Sequence, residues 1–350
     1  IMAYTTIDDP LQYFNTVLFT GNGSTQSITG VGFQPDWVWI KNRGAVTNHE
    51  VADSVRGANK LLKPNDSDAE QNNSNKITSF DSDGFGVGND ANVNQNSNAI
   101  VSWNWKAGTS VSGTTGGSGT SKSYSGSVNT DAGISIIAYT GNSTGGHTVP
   151  HHLGVAPQLV LCKRRGQSGQ WTMGHDGLGG FDKFLELDLT SAQQSQTKRF
   201  DDTAPSSTVF TLGSGLDTNA NNITLIAYCF AEKQGYSKFG SYEGNGSSDG
   251  TFIYTGFKPA WVVTKSIDST SHWNCKDNKR STFNPVDDYH KLNEPTAEDT
   301  GVSNHAMDFL SNGFKHRGDN DEVNGSETYI YMAFAESPFV NSNGVPANAR

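Results

Sequence analysis

The sequence predicts an all-β protein built from three tandem, diverged β-sandwich or jelly-roll-like domains with little helix. Three observations carry that reading. Only 34% of the 350 residues are hydrophobic, which is too polar for one large core, yet 10% are aromatic, which is too many for a disordered chain. Four short sequence elements recur in the same order three times. Between them stand Gly-, Asn-, Asp- and Ser-rich turn signals rather than helical periodicity.

The repeat opens with Phe19-Thr-Gly21-Asn22-Gly23, Tyr139-Thr-Gly141-Asn142 and Tyr242-Glu-Gly244-Asn245-Gly246. A Gly-apolar-x-Pro element follows: Gly32-Phe33-Gln-Pro35, Gly154-Val155-Ala-Pro157 and Gly256-Phe257-Lys-Pro259. An apolar strand then runs to a lysine, in Trp37-Val-Trp-Ile-Lys41, Leu159-Val-Leu-Cys-Lys163 and Trp261-Val-Val-Thr-Lys265. Each copy closes on an aromatic strand: Ile100 to Trp105, Leu225 to Phe230 and Tyr329 to Phe334. A period near a hundred residues is too long for a solenoid or propeller blade and suffices for a self-contained sandwich. The chain therefore divides into an N-terminal anchoring segment (1–13), copy 1 (14–107), a flexible Gly/Ser/Thr-rich linker (108–132), copy 2 (133–235), copy 3 (236–339) and a C-terminal tail (340–350). No spacer separates copies 2 and 3, so these two are expected to pack as a rigid pair.

The closing strand alternates, placing Val101, Trp103 and Trp105 on one face, whereas the central strand is apolar on both faces and belongs inside a sheet. Asp83-Gly84 and Asn312-Gly313, each flanked by phenylalanines, are hairpin turns. Ser191 to Arg199 could form a turn or two of helix.

The net charge of −10 repels phosphate, and no Lys/Arg stripe offsets it, so no nucleic-acid binding is expected. Lys163-Arg164-Arg165 reads as a solvated strand end. No apolar run suggests membrane insertion and no signal peptide precedes Tyr4, which points to synthesis and assembly in a cytoplasm; Ile1 ahead of Met2 reads as a cloning or processing remnant. Cys162, Cys229 and Cys275 are far apart and odd in number, which predicts buried, reduced thiols.

Among candidate sites, the tryptophan pairs Trp37/Trp39 and Trp103/Trp105 could stack on sugars, but the other copies place Leu, Val or Met at matching positions, so a core role is expected. Trp171 and Trp273, with His175, fall in variable segments and are the expected receptor-contact residues. Asp81, Asp83 and Asp90 lack the spacing of a calcium loop, and Asp319, Asp321 and Glu322 read as a solvated acidic loop. His147, His151 and His152 lack a fourth ligand for zinc. His175-Asp176 has no nucleophile context, and Asp287, Asp288 and Glu294 are an unconvincing glycosidase pair in a chain full of acidic loops. The expectation is no catalytic residue, no metal and no cofactor.

The segments Tyr242-Glu-Gly-Asn-Gly-Ser, Tyr254-Thr-Gly-Phe-Lys-Pro-Ala, Leu310-Ser-Asn-Gly-Phe314 and Tyr329-Ile-Tyr-Met-Ala-Phe-Ala-Glu-Ser-Pro-Phe339 resemble a repeated β-domain family of unassigned function found in structural proteins of tailed, often marine, bacteriophages. The opening Met2-Ala-Tyr-Thr-Thr-Ile-Asp-Asp-Pro10 is similar to the start of many such proteins. The resemblance implies a non-enzymatic virion protein, tail-fibre-like or host-adhesive, with other virion proteins as partners and a host surface glycan or protein as receptor. Alternatives are a head fibre or capsid decoration protein, or a carbohydrate-binding or carbohydrate-active sandwich. Ile7, Leu11, Tyr13 and Phe14 are too apolar for a free tail, which predicts a homo-oligomer, a trimer favoured, with this segment at the interface.

Overall fold

The computed structural model describes residues 4–348; Ile1, Met2, Ala3 and the last two residues of the C-terminal tail lie outside the described residues. The chain is nearly all β, 43% strand against 5% helix, in antiparallel sheets. Each copy builds the same main sheet in the order opening, closing, central, flanking strand. In copy 1 these are Phe14–Thr20, Ala99–Trp105, Trp37–Asn42 and Glu50–Asp53. Copy 2 uses Ile134–Thr140, Thr224–Phe230, Leu159–Arg164 and Thr172–His175. Copy 3 uses Ser237–Glu243, Thr328–Pro338, Phe257–Ser266 and Asn274–Asp277. The register is shared: Trp37 faces Trp105, Leu159 faces Phe230 and Trp261 faces Phe334.

A smaller three-stranded sheet covers the outer face of each main sheet. The hairpins at Asp83-Gly84 and Asn312-Gly313 lie there, pairing Phe80 with Phe85 and Phe309 with Phe314. Copy 2, which has no such turn, adds Gly116–Gly117 at the other edge of its small sheet. Three separate outer cores result, around Phe85, Phe210 and Phe314.

The inner faces behave differently from the self-contained sandwiches expected. Trp37, Trp39, Trp103 and Trp105 of copy 1, Leu159, Leu161, Tyr228 and Phe230 of copy 2, and Trp261, Val263 and Phe334 of copy 3 form one continuous core. Trp37 stacks on Tyr228 at 4.5 Å, Trp105 meets Trp261 edge-on at 5.7 Å, and Phe230 meets Phe334 at 5.8 Å, so every pair of copies shares a ring contact. A main sheet apolar on both faces can cover its outer face with its own small sheet, but its inner face has only the other copies. All three copies, not only the last two, form one body.

The expected linker is also ordered. Thr109–Thr114 pairs with Ser123–Asn129, which pairs with Ile134–Thr140, so the Gly/Ser/Thr stretch extends the sheet of copy 2. Backbone pairing at an edge needs no apolar period, and Gly126 permits the close approach: a Cβ there would sit 2.5 Å from the Ile136 carbonyl oxygen. The repeated Gly21, Gly141 and Gly244 are required for the same reason, since a Cβ would fall 2.1, 2.3 and 2.0 Å from a backbone oxygen. No helix forms over 191–199; Gln194–Ser195 pairs with Lys183 and Phe184 instead. No helix among the described residues is long and apolar enough to cross a membrane.

The N-terminal segment is not left waiting for a neighbour. Ile7 and Phe14 are buried, Phe14 stacks on Phe334 at 5.2 Å, Tyr13 packs on Tyr236, and Thr5 Oγ1 donates to the Gln234 carbonyl at 2.6 Å. Most of the segment's apolar side chains pack within the chain while Leu11 stays 36% exposed, so the segment does not by itself call for a neighbouring subunit.

Candidate functional site

Trp171, His175 and Trp273 are completely buried, rather than exposed in surface loops as the sequence predicts. Each lies on or just before a flanking strand, at a seam between copies. Trp171 Nε1 donates to the Lys63 carbonyl of copy 1 at 2.8 Å, and Trp273 Nε1 donates to the Glu186 carbonyl of copy 2 at 3.2 Å. His49 stands in the matching place in copy 1, with Nε2 3.3 Å from the Lys291 carbonyl of copy 3. The three contacts close a ring in which every copy reaches back to the one before it. Backbone bonds repeat the pattern: Thr47 to Pro295, Gly169 to Ser67 and Ser271 to Thr190, at 2.8–3.0 Å. Variable sequence here reflects changing partners across a seam, not exposure.

The lysine ending each central strand is buried beside these seams, and Lys41 and Lys163 bond across them while Lys265 bonds within its own copy. Lys163, read as part of a solvated run, is buried and donates to the carbonyls of Ser67, Asp68 and Gly169 at 2.7–2.9 Å. Lys41 donates to Asn42 and Pro295, and Lys265 to Ser266 and the Ser271 hydroxyl. Burial pushes all three amines down to about 8, while the surrounding oxygens hold the proton at neutral pH. Arg164 and Arg165 are likewise committed, to Asp217 and Glu70.

Two of the three seams carry a buried ionic network. Between copies 1 and 2, Arg56 binds Asp53 at 2.5 Å and Glu70 at 3.3 Å, and Tyr228 Oη donates to Asp53 at 2.7 Å. Between copies 3 and 1, Arg280 binds Asp277 at 2.5 Å and Glu298 at 2.9 Å, and Trp103 Nε1 donates to Asp277 at 3.0 Å. At the seam between copies 2 and 3 the matching positions are His175, Leu178, Gln193 and Met332, and no ion pair replaces the network there among the described residues.

Buried Asn94, Asn219 and Asn324 form a repeated element that sequence reasoning missed. Their amides accept from the backbone N–H of Asn22, Asn142 and Asn245 and donate to Gly88, Gly213 and Gly318. The signal was available, because each asparagine stands six residues after that glycine.

The remaining candidates are dispersed. His147 contacts Ser118, His151 contacts Ser206 and His152 meets Tyr124 Oη at 2.7 Å, three separate environments. Asp83 accepts from the backbones of Gly30 and Gly32, and Asp90 caps a short helix at Asn92. Asp288 accepts from Gly301 N–H, and Glu322 meets His305 at 3.4 Å, while Asp321 offers its backbone oxygen to Tyr329. No three His, Cys, Asp or Glu side chains are placed to hold a metal ion among the described residues.

The cysteines are buried and free, as expected. Burial pushes the Cys162 thiol up to about 12 and raises Cys229 and Cys275 as well. Native protein should therefore show no reaction with Ellman's reagent over minutes, and three thiols should appear in urea; one thiol titrating under native conditions would contradict the burial described.

Among the described residues, two surface grooves lined by a carboxylate are candidate sites. The larger, about 530 Å³, has Asp36 at its base. That carboxylate accepts from Ser54 Oγ at 2.6 Å and from Ala107 N–H at 2.8 Å, and Gln158 performs the matching service for Glu232 N–H in copy 2, so Asp36 is structural. The second, about 330 Å³, runs along copy 3 and is lined by Tyr4, Glu232, Gln234, Ser237, Lys238, Tyr254, Thr255 and Gly256. Tyr4 Oη donates to the Gly256 carbonyl at 2.9 Å and lies 3.1 Å from Tyr254 Oη, fixing the Tyr254 ring at the groove's edge. Burial, helped by Tyr254, pushes the Tyr4 hydroxyl up to about 12, so it stays protonated.

No curated protein and no solved structure matches this chain. One family model, described as a domain of unknown function, DUF7483, matches residues 9–338, and this single match spans all three copies together. That extent agrees with a shared core and a closed ring of seams, and the chain belongs to the DUF7483 family.

Proposed function

We propose that this chain is a non-enzymatic bacteriophage virion protein, tail-fibre-like or host-adhesive, that presents its outer sheets to the surroundings. The observation that carries the non-enzymatic part is the commitment of its buried charged groups. Lys41 and Lys163 donate to carbonyls of a neighbouring copy, and Arg56 donates to Tyr228 of copy 2. Arg280 lies over the Trp103 ring of copy 1, and Lys265 is tied down within copy 3 by Ser266 and Ser271. Neither groove contains the pair of carboxylates that glycoside hydrolysis needs: one holds Asp36, the other Glu232. The phage assignment rests on the motif resemblance, and a rigid body with closed seams suits a particle component. A head fibre or capsid decoration protein would use the same architecture. Mass spectrometry of gradient-purified particles from a phage encoding this chain, with immunogold labelling, tests the reading. Detection at a fixed particle position is expected; a chain found only in the infected-cell lysate would refute it.

A further inference from the structure

The three copies act as internal controls for one another, and copy 3 departs from the other two on its outer surface. In the strand Phe252–Tyr254, Ile253 points into the outer core, while Phe252 and Tyr254 lie on the opposite face, 43% and 50% exposed. The same register positions hold Ser27 and Thr29 in copy 1 and Thr148 and Pro150 in copy 2. The fold therefore accepts small or polar residues there, and the aromatic pair is specific to copy 3. Two residues along a strand place the rings about 7 Å apart on one side.

We infer that Phe252 and Tyr254, with the adjoining groove, form a stacking platform for a pyranose ring of a neutral surface glycan. The inference rests on the adhesive reading above and names its ligand class. A sugar ring presents one apolar C–H face and a rim of hydroxyls, and this surface offers both complements. The exposed rings supply the flat apolar contact. Among the described residues, Glu232 uses one carboxylate oxygen to accept from Phe239 N–H and leaves the other without a hydrogen bond, and Lys238 has no ion-pair partner. One carboxylate and one ammonium balance each other, which suits a neutral polyol better than an ion. The Tyr4–Tyr254 contact holds the Tyr254 ring in place before a ligand arrives, reducing the ordering cost of binding.

The test is saturation-transfer NMR of the whole chain against the methyl α- and β-pyranosides of glucose, galactose, mannose, rhamnose and N-acetylglucosamine. The comparison is F252S/Y254T, which installs the residues copy 1 already tolerates and should melt like the parent. Transfer from at least one pyranoside, weakened tenfold or more in F252S/Y254T, is the expected result. Transfer from none, or equal transfer from both proteins, overturns the proposal. So does absence of sugar binding accompanied by a change in light-scattering mass on substitution, which would make this face a protein contact. The particle location is measured separately, so loss of this inference leaves the virion reading to its own test.

Discussion

Arg56→Leu should lower stability by about 3–5 kcal/mol, one of the largest single-substitution effects outside the shared core. The guanidinium is fully buried, paired with Asp53 and Glu70, and also donates to the carbonyls of Val51 and Lys60. Removing it strands the buried Asp53 carboxylate with the Tyr228 hydroxyl and the Arg56 backbone N–H as its remaining donors among the described residues. An uncompensated buried charge, rather than lost attraction, is the source of the cost. The seam between copies 2 and 3 shows what a network-free solution looks like, with His175, Leu178 and Met332 at the matching places. The triple variant D53H/R56L/Y228M should therefore recover to within about 2 kcal/mol of the parent, because replacing a whole buried ionic set by packed residues is often nearly neutral. Urea unfolding at pH 7.5 measures both. A single variant costing under about 1 kcal/mol would show that the network is solvated in solution.

Acidification should unfold this protein well above the pH at which ordinary carboxylates protonate. His49 and His290 sit at the seam between copies 3 and 1, where burial holds both well below the usual histidine range and Lys41 and Arg280 push the same way. Arg43 also faces His290, and the nearest carboxylate, Glu298, lies 3.9 Å from His290 Nε2 but is held by Arg43 and Arg280. Burial lowers His175 to about 4 and His316 to about 3. The sign follows from linkage: the unfolded chain takes up these protons near pH 6.5 and the folded chain does not, so stability is lost as pH falls below 6.5. His175 alone accounts for roughly 3 kcal/mol between pH 6.5 and 4. Asp188, raised to about 6 by burial, has the opposite sign and offsets part of the loss. His290 occupies the position held by Leu62 and Leu185 in the other copies, which makes H290L a tolerated change. H290L should lose about 2 kcal/mol less than the parent between pH 7.5 and pH 5. Identical losses would mean that His290 is hydrated at the seam.

Strands and hairpins were legible because their causes are local. Alternation in Ile100 to Trp105, apolar residues on both faces of Trp37 to Ile40, and Asp83-Gly84 between phenylalanines each act over a few residues. The substitution of Trp37 by Leu159 correctly marked a core position. What could not be read was which core, because the partner of Trp37 is Tyr228, 191 positions away in the sequence. The same distance misled the reading of Lys163 and Trp171. A lysine at a strand end is ordinarily solvated, and a tryptophan between strands ordinarily lies at the surface, unless another copy supplies the carbonyls of Ser67 and Lys63. The copy 3 platform escaped for the opposite reason. Phe252 and Tyr254 sit in an ordinary strand pattern, and only knowing that Ile253 points inward reveals them as exposed.

The shared core has a consequence for synthesis. Copy 1 is made first, yet Trp37, Trp39, Trp103 and Trp105 are covered by copies 2 and 3, and His49 waits for Lys291. At ordinary elongation rates, on the order of 10–50 s pass between emergence of Trp105 and of the closing strand of copy 3. During that interval the ribosome carries a sheet with a bare indole face, held only by its own small outer sheet. Nascent chains of this family should therefore be clients for chaperones that mask aromatic surface, and translation interrupted within copy 3 should yield aggregates rather than a shorter folded protein.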